Sequence, residues 1–115
     1  MSVLDIVVHV DKPDCFLAAA CTTVVDTAEA LPDENFSMVL VVNSKAVTQL
    51  TRNHAEIRES LDRATGQGLA VLVCNNALES TGTKPEELFP QCRVVPAGLV
   101  EIVHLQRKGY AYIKP

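Results

Sequence analysis

Few side chains in this 115-residue sequence can do chemistry. They are four cysteines (Cys15, Cys21, Cys74, Cys92), three histidines (His9, His54, His104) and the amides and hydroxyls near them. Cys74 stands apart. It falls in Gly68-Leu69-Ala70-Val71-Leu72-Val73-Cys74-Asn75-Asn76, a continuous apolar run closed by a cysteine and two amides. A run of this length between Gly and Asn predicts a strand covered on both faces of a parallel sheet. In such sheets ligands and chemistry sit outside the carboxyl ends of the strands. If residues 75–80 open a helix, their free N–H groups and the helix dipole favour a thiolate at Cys74, which would act as a nucleophile or sulfur carrier. The competing reading is a small buried hydrophobe at a strand end, the common fate of a free cysteine.

Two familiar cysteine loops fail on residue type. Phosphatase-type and rhodanese-type cradles wrap an anion with backbone N–H groups and need glycines and an arginine a few residues past the cysteine. Here Cys74 is followed by Asn75-Asn76-Ala77-Leu78-Glu79-Ser80, with no arginine, no glycine and an acid where the anion's partner should stand.

His9 and Asn43 close the first and second expected strands. Strand ends on one edge of a parallel sheet lie near one another, so His9, Asn43, Ser44, Cys74 and Asn76 could line one pocket. A histidine there would polarise the thiol or move its proton; its plainer role is a strand-end ring satisfied by backbone carbonyls. Cys21 falls on an apolar helical stripe and reads as core. Cys15 reads as exposed with nothing gathered around it, and Cys92 as a structural residue in a loop beside Pro90. His54 reads as an exposed helix-start residue and His104 as part of a subunit contact. No two histidines have metal-ligand spacing and no CxxC pair exists, so no metal site is expected. The glycines form no phosphate-binding fingerprint, so no nucleotide cofactor is expected either.

The elements that must position these residues follow from periodicity and punctuation. Val3 to Val10 predicts a strand. Asp11-Lys12-Pro13-Asp14 predicts a helix start, capped by Asp11 or Lys12 with Pro13 in the first turn. Leu17, Cys21, Val24, Ala28 and Leu31 form that helix's buried stripe. Phe36 to Val42 is the second strand, and Ala46, Val47 and Leu50 suggest a short helical segment. Asn53-x-x-Glu56 has the form of a capping box for a helix burying Ile57, Leu61 and Ala64 and ended by Gly66. After the third strand come one or two helical turns, then a short helix capped by Thr83 and stopped by Pro90. A minimal strand follows at 93–95, then a helix from Ala97 to Lys108 with Gly109 at its end, and a last strand at 110–113.

Strand and helix alternate with short connections, the pattern of a three-layer α/β domain. Length allows one domain, 1–115, with a core of its own. A 48% hydrophobic content with 4% aromatics predicts an aliphatic core and excludes a disordered chain. The net charge of -4, with acids and bases interspersed, argues against nucleic acid or an anionic membrane as partner. No apolar run is long enough to span a bilayer and the first residues lack a basic leader, so a cytoplasmic protein with free thiols is expected. In the last helix Leu99, Val100, Ile102, Val103 and Leu105 spread over more than one face, which predicts a second buried surface and hence a homo-oligomer.

Residues 85–115 run Pro-Glu-Glu-Leu-Phe-Pro, then Val95-Pro96-Ala97-Gly98, Glu101-Ile102, Gln106 and Gly109-Tyr110-Ala111-Tyr112-Ile113-Lys114-Pro115. With Cys74-Asn75-Asn76 and the Asp11-Lys12-Pro13 entry, the chain resembles the DsrE/DsrF-like family, of the YchN-like type, over nearly its whole length. The resemblance implies a three-layer α/β/α sandwich with a mostly parallel five-stranded sheet, assembled as a trimer or hexamer. It also implies sulfur relay. Members with known roles accept sulfane sulfur as a persulfide on a cysteine and pass it to a partner protein. The cysteine after the third strand is the family's candidate carrier, here Cys74, and Asn76 matches the asparagine that accompanies it. Relatives often end the second strand in histidine and glycine, where this chain has Asn43-Ser44.

The resulting expectation is an oligomeric, sulfurtransferase-like carrier needing no cofactor. Cys74 would be its nucleophile and His9 a proton shuttle, with Asn43, Ser44, Asn75 and Asn76 as binding groups, and donor and acceptor proteins as partners. The alternative is a non-catalytic oligomeric binding or assembly protein with a structural Cys74. A small-molecule pocket at the strand ends without sulfur chemistry is the third reading.

Overall fold

The computed structural model describes residues 4–115. Five strands, β1 (Ile6–Val10), β2 (Met38–Val42), β3 (Leu69–Cys74), β4 (Cys92–Val95) and β5 (Ala111–Ile113), form one sheet in the order β4-β3-β2-β1-β5. All four pairings are parallel. The helices are α1 (Phe16–Ala30), α2 (Ala55–Gly66), α3 (Asn75–Thr81) and α4 (Gly98–Arg107), with 3-10 segments at Ser44–Leu50 and Pro85–Glu87. The fold is therefore the expected three-layer α/β sandwich, with a wholly parallel sheet.

The strands are short, aliphatic and β-branched because both sheet faces are covered. Successive side chains alternate between faces, and the strands are in register. Ile6, Met38 and Leu69 share one level, and Val8, Leu40 and Val71 the next but one. Those side chains, with Val10, Val42 and Val73, meet α1 (Leu17, Ala20, Cys21, Val24, Val25), α2 (Ile57, Leu61, Ala64) and α3 (Ala77, Leu78) in the larger core. The alternate positions form a smaller core of Val7, Val39 and Val41 closed by Ile102 of α4, with Leu72, Leu105 and Tyr110 at its margin. The second face thus has one helix where the first has three. The outer side of α4 stays apolar and open, with Leu99 62%, Val100 51% and Val103 43% exposed.

Helix starts are where sequence and structure part. The Asp11-Lys12-Pro13 segment does not open α1. That helix begins at Phe16 with Cys15 at the N-cap, after Asp14 in the left-handed region at φ 56°. Asp11 instead receives Lys114 Nζ at 2.6 Å, which ties the segment after β5 to the end of β1. That hydrogen bond is the main reason the Asp11 carboxyl is held below its ordinary value. The Asn53–Glu56 box is one residue out of register, because α2 starts at Ala55 with His54 at the N-cap and no side-chain cap. His54 is half-buried, with Nδ1 3.0 Å from Thr51 Oγ1. Thr83 is not a cap either. Its hydroxyl meets that of Thr81, and Glu87 accepts the Lys84 N–H at 3.1 Å. Cys92 opens β4 rather than lying in a loop. The second strand begins at Met38, not Phe36, and the expected start of the first strand at Val3 lies outside the described residues.

Gly66 is still within α2; the turn into β3 is made at Gly68, with φ 100°. The two glycines should therefore respond oppositely. Gly66→Ala should raise stability by up to ~1 kcal/mol through helix propensity. Gly68→Ala should lower it by about 1–2 kcal/mol, because a Cβ is strained at positive φ. Urea unfolding of the two variants reads both signs.

Burial pushes the Cys21 thiol up to about 11 and that of Cys92, packed against the larger core from the edge strand, up to about 12. The unfolded chain ionises these thiols near 9.0, so above that pH it binds fewer protons than the folded chain. Stability should then fall as pH rises. The contribution is complete below about 9 and is lost as pH climbs through about 11 and 12. Urea midpoints across that range should decline, with a shallower slope in a Cys21→Ala/Cys92→Ala variant.

Candidate functional site

The alternation that builds the smaller core also builds the site. Tyr112 is level with Val7, and His9 with Val41. Asn43 continues β2 in extended conformation, its N–H bonded to Val10 O at 3.1 Å, and Cys74 is level with Val95. By parity Tyr112, His9, Asn43 and Cys74 all start from the α4 side of the sheet, running towards its carboxyl edge, and the Cys74 side chain at that edge also packs with the larger core.

Cys74 ends β3 and is the N-cap of α3, without a side-chain cap bond. Its surface is 7% exposed. Above it the first residue of α4 comes unusually close. A Cβ placed on Gly98 would stand 3.1 Å from Val41 Cγ1, 3.4 Å from Cys74 Cβ and 3.6 Å from Asn43 Cβ. A side chain there would crowd Val41 by a few tenths of an ångström, so glycine lets α4 begin close over the cysteine.

What remains open beside Cys74 is a shallow depression of about 340 Å³ lined by Asn43, Ser44, Cys74, Asn76, Ala77 and Ser80. Its polar lining is uncharged, made of amides and hydroxyls. Ser44, which starts the 3-10 segment, is held at φ 53°, a conformation uncommon outside glycine. Four of the expected residues, Asn43, Ser44, Cys74 and Asn76, thus come together. Asn75 does not line the depression; its amide donates to Glu79 Oε1 at 3.2 Å, one turn along α3.

His9, 7% exposed, joins the group through Asn43. Its Nε2 lies 2.9 Å from Asn43 Oδ1 and its Nδ1 2.7 Å from the Tyr112 hydroxyl. The amide oxygen can only accept, so Nε2 carries the proton. In the neutral ring Nδ1 then accepts from Tyr112. Both ring nitrogens are satisfied by side chains, not by the backbone carbonyls of the plainer reading. The Tyr112 ring packs at 5.8 Å from the imidazole. Sequence reasoning missed Tyr112 and Gly98. The signal for Tyr112 is the pairing of β5 with β1, which periodicity does not reveal.

The remaining cysteines and histidines stay apart from this site. Cys15 is exposed, Cys21 is in the larger core and His104 is exposed on α4. A larger groove, about 570 Å³, lies at the opposite, amino-terminal edge of the sheet, where Glu29, Leu31, Phe36, Met38 and Gly68 are among its lining, with no nucleophile. Among the described residues no three His, Cys, Asp or Glu side chains gather where they could hold a metal ion. No helix among them is long and apolar enough to cross a membrane.

Comparison with known proteins places the fold. A solved structure of a protein of unknown function, MTH1491 from Methanobacterium thermoautotrophicum, superposes with a TM-score of 0.88 at 29% identity, covering 97% of this chain and 99% of that one. The ychN protein from E. coli gives 0.81 at 18% identity over 97% and 99% of the two chains, a likeness of fold alone. A protein of unknown function from Bacteroides thetaiotaomicron, BT1422, gives 0.63 at 7% identity over 95% and 94%. No curated protein matches the sequence. The DsrE/DsrF-like family pattern matches residues 6–115, and the chain belongs to that family.

Proposed function

We propose that this protein is a sulfane-sulfur carrier working through Cys74. The observation that carries the reading is the seat of the only cysteine in the depression. It stands at the carboxyl end of an inner strand, at the first turn of α3, among the uncharged polar groups of Asn43, Ser44, Asn76 and Ser80. Family membership supports it, since sulfur relay is the general theme of the DsrE/DsrF-like proteins.

The step balances without a cofactor. The Cys74 thiolate attacks the terminal sulfur of a donor R–S–S–H, the donor S–S bond breaks, and R–S⁻ leaves as Cys74–S–S–H forms. An acceptor thiolate then attacks that terminal sulfur and Cys74–S⁻ is released. Asn43, Asn76 and the first backbone N–H groups of α3, those of Asn75 and Asn76 among them, would stabilise the anionic sulfur. His9 reaches the site only through Asn43, so its part in proton movement would run through that amide. The lining offers no cation to hold a dianionic group such as a phosphate.

Incubation with a low-molecular-weight hydropersulfide should add the mass of one sulfur atom to Cys74, read by intact-mass and peptide mass spectrometry. Cys74→Ser should abolish the adduct. An unmodified Cys74, or an adduct that survives the substitution, would overturn the proposal. The low exposure of Cys74 favours a second reading, a packed residue in a binding or assembly protein. In that case Cys74 would alkylate no faster than the buried Cys21.

The apolar outer face of α4 supports assembly into a trimer or hexamer, with that face covered. Light scattering should then give the mass of a trimer or hexamer for the native chain, and that of a monomer for Leu99→Glu/Val103→Glu. A native chain that runs as a monomer would remove this part of the proposal.

A further inference from the structure

Resting on the carrier reading, we infer that Tyr112 and His9 are positioning residues. They turn the Asn43 amide so that its N–H2 faces the Cys74 sulfur. Three observations converge. The side chains of Tyr112, His9 and Asn43 come from three adjacent strands, β5, β1 and the end of β2, and share the α4 side of the sheet. They form an unbroken chain, hydroxyl to Nδ1 at 2.7 Å and Nε2 to Oδ1 at 2.9 Å. The last of them lines the same depression as Cys74.

The chemistry of the chain sets its direction. Nε2–H holds the amide oxygen of Asn43, which leaves Nδ1 of the neutral ring to accept from the Tyr112 hydroxyl, so both bonds are satisfied in one direction. A planar amide whose oxygen is held on one side presents its two N–H donors on the other, and the open side of Asn43 is the depression. The start of α4 packs close to the amide, since a Cβ at Gly98 would stand 3.6 Å from Asn43 Cβ and crowd Val41 at 3.1 Å. Without the histidine the amide is free to rotate and to offer its oxygen, an acceptor, to an anionic sulfur. The chain works as a polarity setter: it decides that the group facing the thiolate or persulfide is a donor.

The pH profile of Cys74 alkylation by iodoacetamide tests this, followed by peptide mass spectrometry with the exposed Cys15 as internal standard. Asn43→Ala should slow Cys74 at neutral pH by about tenfold, roughly one hydrogen bond to a charged group, and move its profile to higher pH. His9→Ala should do nearly the same. His9→Gln, whose amide can still donate to Asn43, should recover part of the rate. Tyr112→Phe keeps the ring packing and should give a smaller shift in the same direction. In Tyr112→Phe/Asn43→Ala the effect should be no larger than in Asn43→Ala alone, the coupling expected of residues acting through one another. If His9→Ala and Tyr112→Phe leave the Cys74 profile where it is while Asn43→Ala moves it, the positioning role is overturned. The same holds if the double variant is additive. Persulfide formation is scored separately by mass, so a chain that tunes alkylation in a Cys74 that takes up no sulfur would sink the carrier reading and keep this one.

Discussion

Side-chain alternation in five parallel strands held in register is the constraint on which this structure depends. One set of positions makes the large aliphatic core with α1, α2 and α3; the other makes a thin one under α4. Because the strands are level, the second set also places Tyr112, His9, Asn43 and Cys74 on one face without any loop having to carry them there. A slip of one residue in β1 would turn His9 into the larger core and move Val8 and Val10 out of it to the α4 side. Register is therefore fixed by the same hydrophobic burial that holds the fold, and the site inherits its order from the core.

The thin layer has a cost and a use. A single helix leaves apolar surface open, in Leu99, Val100 and Val103, which a monomeric protein seldom tolerates as a continuous patch. It also lets α4 begin at the carboxyl edge of the sheet, with Gly98 pressed towards Val41, Asn43 and Cys74. Close approach there makes the cysteine mostly covered while its neighbours Asn43, Ser44 and Asn76 stay reachable. Cys21 and Cys92 differ in kind: their thiols are held protonated by burial alone, away from the depression.

Much of this was legible from residue types. The aliphatic runs at 38–42 and 69–74 state a doubly covered strand, and the residues at their ends state the carboxyl edge, so Asn43, Ser44, Cys74 and Asn76 could be grouped from the sequence. The buried stripes Leu17–Cys21–Val24 and Ile57–Leu61–Ala64 were equally plain. Cap positions were not, because Asp11 and Asn53 are good caps in isolation and their environment decided otherwise. Asp11 found Lys114 from the far end of the chain, and α2 started one residue later than its box. Tyr112 was hidden for a related reason: no local pattern says which strand the last one joins.

That last pairing bears on the order of folding. His9 and Tyr112 are 103 residues apart, and β5, only three residues long, joins β1 across a similar separation, Val7 being level with Tyr112. Contacts across so long a loop carry the largest closure entropy, and a strand this short has little burial to offset it before the rest is in place. The central strands β1, β2 and β3 can assemble during synthesis with Asn43 and Cys74 already at one edge. His9 receives its hydroxyl partner only after the final strand has emerged and docked. A nascent chain thus holds the cysteine before it holds the fixed imidazole, and the site matures last.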